Sequence, residues 1–178
     1  SPFVCTVSLQ VLVKHSNSAR VASKDNFLPL HLFARNPAVV TELEEQILKV
    51  LSAMDAAGVN LSATCKDGNT ALHYAARVGN FVIAEWLLTK KVPPNQPNAK
   101  GNTAMHEVLL AHSDTETYLS RMCDLLSKHG GAWDIKNNNG DTCLGVVTKN
   151  MIVLSKSELS SEHSQNPIKM SNDKMWER

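Results

Sequence analysis

The sequence predicts an all-α repeat solenoid, and three observations carry that prediction. A hexapeptide recurs: Gly68-Asn69-Thr70-Ala71-Leu72-His73 returns 33 residues later as Gly101-Asn102-Thr103-Ala104-Met105-His106. Looser copies stand at Gly140-Asp141-Thr142-Cys143-Leu144, 39 residues after Gly101, and at Asn26-Phe27-Leu28-Pro29-Leu30-His31, 42 residues before Gly68. Between the copies, apolar side chains recur at helical spacing, and Gly, Asn and Pro punctuate them. Self-similarity at this period marks stacked supersecondary units, none of which can bury its apolar face alone.

The elements follow in chain order. Phe3 to His15 has the pattern of the second helix of a unit, and Ser16 precedes Asn26 by ten positions, as Gly58 precedes Gly68. That segment reads as the tail of an earlier repeat. Asn36-Pro37 suits a cap followed by proline at the first helical position. A helix is expected over 38–57, with Val40, Leu43, Ile47, Val50, Leu51 and Met54 on one side and Gly58 as its stop. This unit holds nine residues more than the 33-residue spacing.

Cys65-Lys66-Asp67-Gly68 is a turn, with glycine free to take positive φ. Thr70 then caps a helix over 71–78, whose Ala75-Ala76 pair allows close packing, and Gly79-Asn80 breaks it. A second helix is expected over 81–90, with Val82, Ile83, Trp86 and Leu87 as its apolar stripe and the prolines of Val92-Pro93-Pro94-Asn95 as its end. The turn Asn98-Ala99-Lys100-Gly101 opens the next unit, with a helix over 104–111. Ser113-Asp114-Thr115-Glu116 reads as a capping box for a long helix to His129, with Tyr118, Met122, Leu125 and Leu126 on one face. Gly130-Gly131 stops it, and six residues beyond 33 fall in 111–119. Thr142 to Lys149 reads as a further first helix, Met151-Ile152-Val153-Leu154 as an apolar cover for it, and the Ser-rich 155–172 as a linker.

The repeated motif resembles the ankyrin repeat, whose signature is G-x-T-P-L-H-x-A-A. The resemblance implies antiparallel helix pairs with β-hairpin or turn fingers, in about three full repeats flanked by partial ones. It divides the chain into a partial repeat at 3–22, an ankyrin-repeat domain at 23–150, and a capping segment with linker at 151–178. It makes His31, Gly68, Thr70, His73, Gly101, Thr103, His106, Gly140 and Thr142 structural. Each histidine would bond back to the motif threonine and across to the neighbouring repeat. His31 meets Leu28 in place of threonine, which leaves its local bond open. Cys143 occupies the usual proline position.

The function the resemblance implies is non-catalytic recognition of a protein partner by the concave face and finger tips. Carried over position by position, the candidates are Lys66, Asp67, Asn69, Tyr74 and Arg77, then Ala99, Lys100, Asn102, Glu107 and Leu110. In the upstream unit they are Lys24, Asp25, Phe27, Leu32 and Arg35. Tyr74 would be an aromatic contact anchor, Trp86 core, and Trp133 a neighbour of the hairpin arm. Asn95 would stabilise a hairpin, although its placement is similar to the asparagine some ankyrin proteins present for hydroxylation; Pro93-Pro94 departs from that pattern. The alternative is a targeting or substrate-recognition arm of a larger multidomain enzyme, channel or effector. A third reading puts the contact on the inserted segments 38–57 and 111–119.

Composition narrows the rest. The chain has 178 residues, 43% of them hydrophobic and 20% charged, with a formal net charge of +1. Near-neutrality argues against nucleic acid or an anionic membrane as the partner. Four cysteines lack C-x-x-C spacing and read as reduced thiols, which suits an intracellular compartment, cytoplasm or nucleus. No run reaches the roughly 18 apolar residues of a membrane span. Phosphate-cradling glycine loops and H-E-x-x-H are absent. Histidines that recur once per unit hold up each unit, so no catalytic residue, metal, cofactor or small-molecule substrate is expected, and a monomer is. The start at Ser1 and the end at Arg178 read as those of a piece of a longer protein.

Overall fold

The computed structural model describes residues 21–37, 44–111 and 116–149. The expected partial repeat at 3–22 falls almost wholly outside them. So do the start of the 38–57 helix, the Ser113–Thr115 part of the capping box, and the apolar cover at 151–154.

Within the described residues the chain forms α1 (Pro29–Arg35), α2 (Glu44–Ala56), α3 (Ala71–Val78), α4 (Phe81–Thr89), α5 (Ala104–Ala111) and α6 (Glu116–Lys128), followed by α7 over 143–149. No strand occurs among them. The helices lie in two layers. In one, α1 packs on α3 and α3 on α5; in the other, α2 packs on α4 and α4 on α6. The α3–α4 and α5–α6 pairs join the layers. Leu72, Ala75, Ala76, Ile83, Leu87, Met105, Met122 and Leu126 are fully enclosed between them. The all-helical repeat solenoid expected from the periodicity is the fold found.

Local chemistry sets the boundaries. The Thr70 hydroxyl accepts from the His73 backbone N–H at the start of α3, and Asn80 does the same for α4 through Ile83 at 3.0 Å. Three second-layer helices stop in one way. The backbone N–H two residues past the last turn reaches back to the carbonyl at its start: Val59 to Met54 (3.2 Å), Val92 to Leu87 (3.1 Å) and Gly131 to Leu126 (2.8 Å). The residue before each donor takes positive φ: Gly58 at 70°, Lys91 at 61° and Gly130 at 86°. The prolines after α4 are therefore not its terminator. The chain has already turned at Lys91, two residues earlier. The buried stripe of α4 also differs from expectation. Ile83, Ala84, Leu87 and Leu88 face the core, because α4 packs on both α2 and α3, while Val82 and Trp86 are only partly covered.

Candidate functional site

Four turns of one design carry the finger candidates, while Leu32, Arg35, Tyr74, Arg77, Glu107 and Leu110 stand on α1, α3 and α5. In each turn, the first residue donates its backbone N–H to the fifth and accepts from the fourth: Ser23 with Phe27 and Asn26, Cys65 with Asn69 and Gly68, Asn98 with Asn102 and Gly101, and Asn137 with Asp141 and Gly140. These four fingers are stapled tip to tip. Lys66 N–H donates to Asp25 O at 2.9 Å, Ala99 N–H to Asp67 O at 3.0 Å, and Asn138 N–H to Lys100 O at 3.0 Å. The staples fix the backbone of Lys66, Asp67 and Lys100 while their side chains stay exposed.

The motif histidines tie each finger to the helix behind it. His73 Nδ1 accepts from Thr70 N–H at 3.1 Å and lies 2.8 Å from the Thr70 hydroxyl, and its Nε2 donates to Asn102 O at 3.0 Å. His106 repeats the arrangement with Thr103 (3.2 and 2.9 Å) and Asp141 O (3.2 Å). His31, whose local partner the sequence left open, accepts from the Leu28 backbone N–H at 3.0 Å and donates to Ala63 O at 2.8 Å. The imidazole therefore needs the backbone donor; the threonine hydroxyl is an addition to it. Burial holds His31 and His73 below the ordinary value of 6.5, in the neutral form this pattern requires.

The candidate contact residues divide by burial. Lys66, Asp67, Arg77, Lys100, Leu110, Leu32 and Arg35 are exposed, as are Lys24, Asp25 and Ala99; Phe27 and Asn69 are half-buried. Tyr74, Asn102 and Glu107 are buried, which corrects the expectation that they face a partner. Tyr74 keeps 5% of its surface. Its hydroxyl sits 3.3 Å from Cys65 Sγ and accepts from Asn69 Nδ2 at 3.4 Å, its ring packs 5.9 Å from Phe27, and Arg35 covers both rings. Burial first, then the Cys65 contact, pushes its phenol up to about 12. Sequence position alone could not reveal this, because the closure comes from the neighbouring finger and helix.

Glu107 sits at the centre of a polar chain that crosses the units. Its Oε1 accepts from Asn98 Nδ2 at 3.0 Å and Asn102 Nδ2 at 3.1 Å, and its Oε2 lies 3.4 Å from Arg77 Nε. Asn98 Nδ2 also donates to Asn69 Oδ1 (2.8 Å), and Asn137 Nδ2 to Asn102 Oδ1 (3.0 Å). Asn98 and Asn137 were not singled out as contact-face residues, yet they organise it. Each side-chain oxygen accepts two backbone N–H groups of its own finger. Their signal was available: each stands three residues before a finger glycine. Arg77, Asn102, Glu107 and Asn137 of this network line, with Lys100, Leu110 and Lys149, a groove of about 570 Å³ between the third and fourth fingers.

The remaining candidates make contacts within the chain. Asn95 donates to Gly130 O and accepts from Ala132 N–H, both at 2.8 Å, which bridges two units. Trp133 is about half exposed and donates to Ser127 Oγ at 3.0 Å. Trp86 lies under the Lys90 ammonium, 5.5 Å from its ring centre. A second groove, of about 620 Å³, lies against the second-layer helices α4 and α6, where the Arg121 guanidinium already stacks 4.0 Å over Phe81. Cys65, Cys123 and Cys143 are buried free thiols, and Cys5 lies outside the described residues. Burial pushes Cys123 and Cys143 up to about 11, away from the thiolate a nucleophile needs. Cys143 Sγ is 3.6 Å from His106 Nδ1, but that nitrogen already accepts from Thr103 N–H. Among the described residues no group of three or more His, Cys, Asp or Glu could hold a metal ion, and no helix is long and apolar enough to cross a membrane.

Comparison with known proteins agrees with this architecture. Residues 56–108 match the family described as ankyrin repeats in many copies. The chain is 39% identical over 69 residues to a transient receptor potential cation channel subfamily A member 1 homolog of Caenorhabditis elegans, covering 38% of this chain and 5% of the relative. It is 28% identical over 102 residues to SH3 and multiple ankyrin repeat domains protein 2 of Homo sapiens, covering 57% of this chain and 5% of that protein. The chain thus spans a small part of the curated relatives it matches.

Proposed function

We propose, from the premise that this chain is built of ankyrin repeats, that it recognises a protein partner through its finger tips and the first-helix face. Ankyrin repeats are in general protein-interaction modules without catalysis of their own. One observation carries the finer reading. The polar groups conserved in spacing from unit to unit are consumed by internal bonds, whereas the stapled fingers hold Lys66, Asp67 and Lys100 outward on a fixed backbone. A preorganised ladder of this kind binds without first ordering itself, which removes a large part of the cost of association. Its length and chemistry suit a protein surface.

As a second reading we propose that the unit serves as a recognition arm within a larger protein, since the matched stretch is a small part of each relative.

The test is a comparative capture from cells of the source. Lys66, Lys100, Leu110 and Arg35 are changed together to alanine, and a control set, Glu85 and Lys128, is changed on the second-layer side. With thermal melts unchanged, proteins retained by the parent and the control but lost from the first variant would support the contact face. Loss from the control variant alone would move the contact to the opposite face and overturn the reading.

A further inference from the structure

We infer that the groove between the third and fourth fingers takes an acidic segment of the partner protein that carries apolar side chains among its carboxylates. This rests on the contact-face reading above and specifies the chemistry of one part of it.

Counted by formal charge, the groove is nearly balanced: Arg77, Lys100 and Lys149 against Glu107 and Asp141. Counted by what solvent sees, it is not. The Arg77 and Lys149 side chains are 50% and 63% exposed, whereas the carboxylates paired with them, Glu107 and Asp141, are 5% and 16% exposed. Lys100 is exposed as well. The cations form the rim and the carboxylates the floor.

The floor carboxylates are also already satisfied. Glu107 holds two amide donors and a guanidinium. Asp141 holds the Lys149 ammonium at 2.6 Å. An incoming cation would have to displace these bonds and pass three rim cations of its own sign, so the groove discriminates against basic segments. An incoming carboxylate meets the exposed Lys100 and shares the solvent-facing sides of Arg77 and Lys149 with the carboxylates beneath them, in a recess where partial exclusion of water strengthens the attraction. Leu110, 41% exposed at the same rim, offers an apolar contact between the charges. The hydrogen bond of 3.0 Å from Asn137 to Asn102 braces the floor, which lowers the cost of ordering it around a ligand. A nucleic acid strand would require a longer run of phosphate-neutralising cations than these three, and Asp67 lies exposed one finger away.

The experiment uses the full chain and three fluorescent probes: a twelve-residue peptide of alternating Glu and Leu with Gly spacers, its Lys counterpart, and a twelve-nucleotide oligothymidylate. Anisotropy is read in low salt up to about 1 mM probe, the weakest affinity worth attributing to a site. Saturable binding of the Glu peptide that Lys100→Glu weakens about tenfold and Lys128→Glu, on the second-layer side, leaves within about twofold would support the inference. Both lysines are exposed, and unchanged melts would confirm folding. Equal or tighter binding of the Lys peptide or the oligonucleotide, no saturation by the Glu peptide, or saturable Glu-peptide binding that Lys100→Glu does not weaken, would overturn it. The comparative capture described above separates the two readings. If the contact-face variant still loses its partners while the Glu peptide fails to bind, the face stands and the acidic ligand falls.

Discussion

The finger row and the row of second-layer helix ends both force the chain into positive φ once per unit, yet they tolerate different residues. At the fingers, Gly68 and Gly101 leave no room for a side chain. A Cβ there would come within 2.6 Å of the Ala99 backbone nitrogen and 2.5 Å of that of Asn138. At the helix ends, a Cβ on Gly130 would meet nothing within 4 Å, and the equivalent position after α4 is filled by Lys91 at φ 61°. The first finger has a substitute of its own. Asn26 takes φ 61° and donates to Thr64 O at 2.7 Å, which fits the tolerance of asparagine for left-handed backbone. Conformation alone costs about 1 kcal/mol and can be absorbed; conformation with close backbone approach cannot.

The largest effect should come from breaking that contrast at its tightest point. Gly101→Val places a branched side chain at φ 75° against the next finger and should lower unfolding stability by about 3 kcal/mol or more. Gly140→Val, at φ 78° with open space around it, should cost clearly less in the same urea titration. Equal losses would show that φ, and not finger approach, governs the row.

Acidification should separate the rows next. His31 and His73 are held below 6.5 by burial, so the unfolded chain binds protons first. Their contribution to stability is complete above about 6.5 and is lost as pH falls from there through the lowered folded values. Both histidines bond the finger side of the molecule. Protection factors at Ala99 and Asn138, corrected for intrinsic exchange, should therefore fall before those at Val59 and Val92 when the pH is taken from 7 to 5. A simultaneous fall would mean that the rows do not open separately.

The smallest expected change is a gain. Lys91→Gly should stabilise the chain by about 1 kcal/mol, since it relieves a left-handed lysine and keeps the Val92–Leu87 bond. A denaturation midpoint shifted to lower urea would show that Lys91 contributes a contact worth more than its strain.

These contrasts also mark how far the sequence could be read. Thr70 with His73, and the ends of α3 and α5, were legible because cap, turn and helix are spaced within a few residues. The stop at Lys91 was not, since it lacks the glycine that announces Gly58 and Gly130; the prolines beyond it drew the inference instead. Tyr74 and Glu107 follow the motif histidines at equivalent positions, where the motif predicts exposure. Phe27 and Arg35 of the preceding unit close over the first, and Asn98, Asn102 and Arg77 close around the second.

By itself the sequence determined the repeat, its period, the helix-pair units and the recurrence of the histidines, because each depends on short-range spacing that any stacked copy must satisfy. Only the tertiary structure decided which of the variable positions remain outside. Stacking one unit on the next buries a tyrosine and a glutamate while leaving lysines at the rim, and that outcome depends on how neighbouring units meet.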